Sequence, residues 1–357
     1  MVTKKIMVSL LLVFLSLATL GAAPNPVVDL QLLASLGYAP ATEKISVGML
    51  PNLNLSFKSE NKGNVRGEVV LSTASLSSSS TIDDVLQKAY FKAKLPAFRL
   101  TAGKTRLSWG DGILFNAGDV IYGSSSTSVS LTQAELRSET SYLAAINYPL
   151  GLFSFAEALV LPAKTMSAKD LGFGFRLYTT VGQTKVEGGF LSKADPTRLH
   201  TPYVSLQGNI GPDWYLSSSV GFNEQGSIEK ETWMISGGLY HLMTLSGDKN
   251  LGLRLEFLSR PFGNWSWESQ NDSNCALLLY PEVTYSPSNS LTYRFQSIIS
   301  PLDGSLNVTG GVSWSVFEGF SLSAYLSSGF GDTTDLFNWD GSPSSAANLL
   351  FAASWIY

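Results

Sequence analysis

A period of two runs through this chain in long, evenly spaced segments, and it constrains the fold more than any other feature. In "SLNVTGGVSWSV", residues 305–316, Leu306, Val308, Val312, Trp314 and Val316 share one parity, while Asn307, Thr309, Ser313 and Ser315 share the other. "FSLSAYLSS" places Phe320, Leu322, Ala324 and Leu326 on one face. "LGLRLEF" sets Leu251, Leu253, Leu255 and Phe257 against Arg254 and Glu256. "LGFGFRLYTTV" sets Leu171, Phe173, Phe175 and Leu177 against Arg176 and Tyr178. Successive side chains leave a strand on opposite faces, so each segment reads as a strand with one apolar and one polar side.

A water-soluble sandwich alternates in the same way. Length and connection separate the two readings. The segments run to about 10–12 residues, longer than the roughly 5–6 of globular strands and suited to a tilted membrane crossing. Eighteen can be traced: 27–37, 45–58, 64–75, 84–95, 97–108, 140–149, 152–162, 170–181, 184–193, 201–210, 213–223, 230–242, 249–259, 275–286, 289–300, 304–316, 318–329 and 346–357. An even count returns both ends of a barrel to one side. The first two are the least regular. "VVDLQLLAS" also fits a short helix or a plug within residues 24–44, and Pro51 sits inside the second segment, so sixteen strands is the alternative. Short connections with turn formers ("VFEGF", "SPSNS", "NIGPD", "VGQ", "YPLG", "LPAF") alternate with mostly longer ones, notably 109–139, 260–274 and 330–345. Short turns on one side and long loops on the other are the pattern of outer-membrane barrels. The expected fold is all-β: a transmembrane antiparallel β-barrel of about 18 strands.

Composition agrees. Charged residues make up 15% of the 357, against roughly 25% in ordinary soluble domains, while 44% are hydrophobic. Ser, Thr, Asn and Gly carry the missing polarity, as a chain with an apolar outside and an uncharged polar inside requires. A net charge of -4 gives no electrostatic case for nucleic acid. Lys4 and Lys5, the apolar residues 6–20 and the small residues 21–23 have the layout of a secretory signal cleaved near Ala22 or Ala23, so residues 1–23 are assigned to a signal peptide and 24–357 to the barrel domain. No later apolar run reaches the roughly 18 residues of a spanning helix. Cys275 is the sole cysteine, so no intrachain disulfide or cysteine-based metal site can be built. Its parity matches outward Leu277 and Leu279, and it reads as a buried, inert thiol. No metal or other cofactor is implied.

The chain ends on "LLFAASWIY", residues 349–357. Leu349, Phe351, Ala353, Trp355 and Tyr357 share a face, an apolar row closing on an aromatic at the membrane interface. Trp214, Trp233 and Trp314 also lie near segment ends, where an aromatic girdle belongs. A terminal aromatic after alternating apolar residues resembles the ends of bacterial outer-membrane barrels. That resemblance implies recognition of Phe351, Trp355 and Tyr357 by the barrel-assembly machinery, with outer-membrane lipid outside.

The polar parity carries Arg66, Glu68, Arg176, Lys185, Glu187, Arg254, Glu256, Glu282 and Arg294, five basic and four acidic groups. Rings of one sign would select ions. Interspersed signs predict a lumen that passes small polar solutes without strong selectivity. Within "KAYFKAKLPAFRLTAGKTRLSWGDGILFNAGDVIYG", residues 88–123, the pieces Gly103-Lys104, Arg106, Trp109-Gly110, Asn116 and Asp119 are followed by the hairpin "SYLAAINYPLGLFSFAEALVLP". This stretch, roughly residues 85–162, resembles the alginate-export-like and related large outer-membrane porin families. Parity from Phe98, Leu100 and Ala102 puts Lys104 and Arg106 outward unless Gly103 kinks or bulges the strand. A loop folding inward after Trp109 would make Lys104, Arg106, Asp111, Asn116 and Asp119 the lining of a constriction. The alternative is an ordinary external loop anchored by Trp109.

The expected function is therefore an outer-membrane porin-like channel for passive diffusion of small polar solutes. One alternative is a surface adhesin using loops 330–345 and 260–274, the latter with Trp265 and Trp267. Another is a hydrophobic-solute transporter, of fatty-acid type, with a closed lumen. An enzyme is disfavoured: His241 falls on the apolar parity and His200 precedes its segment, leaving no histidine placed for a serine hydrolase.

Overall fold

The structure is a computed structural model that describes residues 25–39, 43–59, 63–73, 82–123, 139–162, 170–194, 197–270, 274–332, 334–338 and 347–357. The signal assigned to residues 1–23 lies outside them, as do 124–138 and 339–346 of two long loops.

Eighteen strands form one sheet. In chain order they are β1 (Asn25–Ala39), β2 (Lys44–Lys58), β3 (Val65–Ser72), β4 (Leu86–Lys94), β5 (Arg99–Thr105), β6 (Ser141–Gly151), β7 (Ser154–Leu161), β8 (Gly172–Val181) and β9 (Thr184–Ala194). There follow β10 (Arg198–Asn209), β11 (Asp213–Phe222), β12 (Ile228–Thr244), β13 (Asn250–Ser259), β14 (Leu277–Ser288), β15 (Leu291–Ser300), β16 (Ser305–Phe317), β17 (Phe320–Phe330) and β18 (Ala347–Ile356). One short helix, α1 (Ile82–Val85), precedes β4. Each strand pairs antiparallel with its neighbours in sequence, and β1 pairs with β18, from Asp29↔Ile356 to Tyr38↔Ala347. The sheet is a closed barrel with no free edge.

Each strand overlaps a segment of the period-two reading. The sixteen-strand alternative fails because residues 25–39 form β1, paired on both sides, and so are not a plug. Pro51 lies within β2, opposite Leu32 on the outward face. Short turns at 152–153, 182–183, 289–290 and 318–319 sit on one side, with both chain ends. The connections 106–140, 260–276 and 331–346 sit on the other.

Alternation sorts the two faces. Outward Phe295, Leu326 and Val47 are 54%, 55% and 80% exposed. An apolar surface repeated in this way around the whole barrel is far larger than a soluble protein leaves in water. It matches a lipid-facing band. Inward positions are polar, and Ser205, Ser217 and Ser236 are buried side by side across β10, β11 and β12.

Two apolar clusters lie inside the barrel. One joins Trp109 and Ile121 to Leu143, Leu159, Leu191 and Tyr203. The other joins Leu114 and Phe115 to Leu258, Leu278, Tyr280 and Phe337. Cys275 belongs to the second, and its thiol donates to the Leu277 carbonyl. The outward position read for Cys275 is corrected: it precedes the first residue of β14, so strand parity does not govern it.

Candidate functional site: an inward-folded loop

The interior clusters need apolar residues on the lumen side, and the segment after β5 supplies them. At the end of β5, Gly103 has φ +123, and a Cβ there would lie 2.1 Å from the Ala89 carbonyl oxygen. Only glycine fits that backbone without displacing β4. The strand is distorted there but not bulged, since Gly103 pairs with Tyr90 and Lys104 with Ala89 in unbroken register.

Unbroken register fixes the direction of Lys104. It lies opposite Tyr142 on the outward face, its ammonium donating to the Asp83 carbonyl and resting over the Tyr142 ring. The constriction role expected of Lys104 is therefore wrong, because Gly103 changes a dihedral and not the strand's parity. Arg106, beyond the strand end, turns inward. It pairs with the fully buried Asp119 at 2.7 Å and with Glu139 at 2.9 Å, and its guanidinium covers the Tyr122 ring. Arg106 thus ties the two ends of the loop together.

Residues 107–122 fold into the barrel against β6–β15. Trp109 is completely buried, stacked on Tyr203 with ring centroids 5.6 Å apart, and its indole N–H donates to Glu157 at 2.9 Å. Gly174 makes room for it: a Cβ there would meet the Trp109 ring at 2.6 Å. The Gly110 N–H donates to Glu187 at 2.8 Å, and Tyr203 OH donates to the same oxygen. Glu256 then accepts three consecutive backbone N–H groups, those of Ile113, Leu114 and Phe115, at 3.1, 2.9 and 3.0 Å. Ser236 accepts from Ala117 N–H, and Tyr215 OH donates to the Phe115 carbonyl. A buried loop must satisfy its backbone, and here the wall's side chains do so.

The remaining predicted residues divide. Asn116 closes the loop on itself, donating to the Trp109 carbonyl and accepting from Gly118 N–H. Asn116 and Asp119 are buried, so they shape the loop and do not line an open passage, which corrects the expectation for both. Asp111 is half-buried. Burial and the nearby Glu187 raise its pKa, against the lowering pull of Lys185, Ser205 and Arg176. Arg176 projects inward between Glu157 at 2.8 Å and Glu187 at 3.2 Å. Arg254 lies 3.6 Å from Glu256 and 3.8 Å from Glu282. Arg294 faces inward from β15, its Nε buried without a hydrogen-bond partner among the described residues.

Parity singled out neither Glu157, which accepts from the Trp109 indole, nor Tyr203, which stacks on that ring and shares the Glu187 oxygen with Gly110. A polar parity signal existed for Glu157 at the centre of β7, between outward Ala156 and Ala158.

With residues 107–122 against β6–β15, most of the inner wall of β16–β18 and β1–β5 faces the lumen as far as the described residues go. Ser321, Ser323, Ser354, Gln31, Asn52 and Asn54 give that wall a polar surface across β17, β18, β1 and β2, with one carboxylate, Asp29, held by Gln31, Asn54 and Ser354.

This architecture occurs in solved outer-membrane porins. The fold is a porin fold. OccAB4 of Acinetobacter baumannii matches with a TM-score of 0.55 at 9% identity, over 94% of this chain and 98% of that one. OccK11 of Pseudomonas aeruginosa matches at 0.54 and 10% identity, over 93% and 95%. A BenF-like porin from Pseudomonas fluorescens Pf-5 matches at 0.53 and 12% identity, over 93% and 98%. No protein-family model and no curated protein matches the sequence, so the alginate-export-like likeness of residues 85–162 rests on its motifs alone.

Proposed function

We propose that this barrel is a passive channel of the bacterial outer membrane, conducting small polar solutes between the inward loop and the wall of β16–β18 and β1–β5. One observation carries the reading: the loop at 107–122 is fastened to one side of the interior by Glu157, Glu187, Ser236 and Glu256. A plug held from all sides would close the lumen. A loop held on one side narrows it. Barrels of sixteen to eighteen strands are wide enough for water, and the porin neighbours OccAB4 and OccK11 share the fold. Export by the N-terminal signal and insertion by the barrel-assembly machinery, reading the terminal aromatic row, belong to the same proposal.

Refolded protein in a planar bilayer tests it. Stable unitary current steps are expected. A folded barrel, shown by its heat-modifiable gel mobility, that gives no steps would overturn the channel reading.

A further inference from the structure

We propose that the channel selects small anions, such as carboxylates or phosphates, and that the selecting charge lies at the turn-side mouth on β2–β5 rather than at the inward loop. This rests on the channel reading above. Sequence parity counted basic and acidic inward groups as interspersed. The structure separates them.

On the loop side most charges are paired locally, Arg294 on β15 and Lys185, bonded to Gln207, being exceptions among the described residues. Arg176 is clasped by Glu157 and Glu187, Arg254 lies between Glu256 and Glu282, and Arg106 pairs with Asp119 and Glu139. The wall carboxylates are further occupied by loop N–H groups. The loop therefore narrows the lumen without contributing a strong field.

On the opposite wall the charges do not cancel. Lys58, Arg66, Lys92, Lys94 and Arg99 all project inward at the turn-side ends of β2–β5. Arg66 lies directly across from Lys92, and Lys94 directly across from Arg99. Like charges facing each other across a strand pair are destabilising unless something compensates them. Protein groups supply little. Glu68 is the carboxylate within reach, 3.6 Å from Lys58, and its other oxygen accepts from Tyr90 OH. Lys92 rests over the Tyr90 ring. Among the described residues no carboxylate lies within ion-pair distance of Arg66, Lys92, Lys94 or Arg99. Asp29 faces inward on the neighbouring β1, where Gln31, Asn54 and Ser354 hold it, and Asp213, held by Asn209, and the turn residues Asp248 and Glu318 lie at the same end farther round the barrel. For what the described residues leave uncompensated, mobile anions can serve as counter-charge. A mouth lined by one sign concentrates ions of the other.

The test is the reversal potential of single channels in a KCl gradient, for the wild type and for R66Q/K92Q/R99Q. The single variant K92Q serves if the triple variant assembles poorly. The wild type is expected to prefer chloride over potassium several-fold, more so in dilute than in concentrated salt, because screening shortens the reach of the mouth charges. The triple variant is expected to lose most of that preference while keeping its conductance in concentrated salt, where the loop sets the width. K92Q alone is expected to shift the potential part of the way. Steps with no preference, or with a preference for potassium, would overturn the anion proposal and leave the channel reading intact. A preference unchanged in assembled triple variant would overturn the assignment to this mouth. Absence of any steps sinks the channel reading itself.

Discussion

Glu256 accepts the backbone N–H of Leu114 at 2.9 Å, across 142 residues of chain. The same carboxylate takes the N–H groups of Ile113 and Phe115. One wall side chain thus fixes three consecutive residues of the loop. Replacing it with alanine leaves three donors without their acceptor and frees Arg254 from one partner. Glu256→Ala is expected to cost about 3–5 kcal/mol and to make single-channel currents larger and noisier. Glu256→Gln, which keeps one acceptor oxygen, should fall between. Heat-modifiable gel mobility and bilayer recordings read the two effects. Quiet, wild-type currents from Glu256→Ala would mean that the loop does not depend on this anchor.

Arg176 holds apart two carboxylates that would otherwise face each other beneath Trp109. Arg176→Met should be destabilising by about 3–5 kcal/mol, because a buried pair broken on one side leaves charge uncompensated. Adding Glu157→Gln and Glu187→Gln should recover a large part of the loss. A double-mutant cycle on thermal unfolding in detergent measures the coupling, and additive losses would show that the three groups act independently.

Gly103 and Gly182 separate two uses of glycine. At Gly103 a Cβ collides with the β4 backbone; at Gly182, φ +62, nothing lies within 4 Å. Gly103→Ala is expected to cost roughly 1–3 kcal/mol through strain and to lower the yield of folded barrel. Gly182→Asn should be nearly neutral, since asparagine tolerates the left-handed region. Equal yields from the two variants would contradict this difference.

Tyr357 exchanges two backbone hydrogen bonds with Val28, each 2.8 Å. Deleting Tyr357 removes both from the seam, together with the aromatic that ends the outward row. The expected result is less assembled barrel in outer-membrane fractions, while Tyr357→Phe, which keeps the backbone and the ring, stays near wild type. Normal assembly of the deletion would undercut the role given to the terminus.

The wall of this protein is legible in its sequence because every strand repeats the same local rule. Leu253, Arg254, Leu255 and Glu256 state by alternation which way each points, and the barrel obeys. Even the parity of Lys104 was right, and the structure sides with it against the constriction role. The loop is a different kind of information. Trp109 meets Glu157, and Leu114 meets Glu256, through contacts between distant parts of the chain that no local period encodes. Nor does parity reveal neutralisation. Glu187 and Arg66 read alike as inward charges, yet one is consumed by Gly110, Tyr203 and Arg176 while the other faces a lysine.

The pairing of β1 with β18 sets the order of events in making the barrel. Asp29 and Ser354 are hydrogen-bonded at 3.0 Å with a separation of 325 residues. The ring cannot be sealed until its last strand has been synthesised. A polypeptide cut short anywhere before β18 carries two open strand edges, and such edges recruit other chains. Premature stop codons in this gene should therefore yield adhesive fragments for periplasmic proteases to clear, rather than smaller pores.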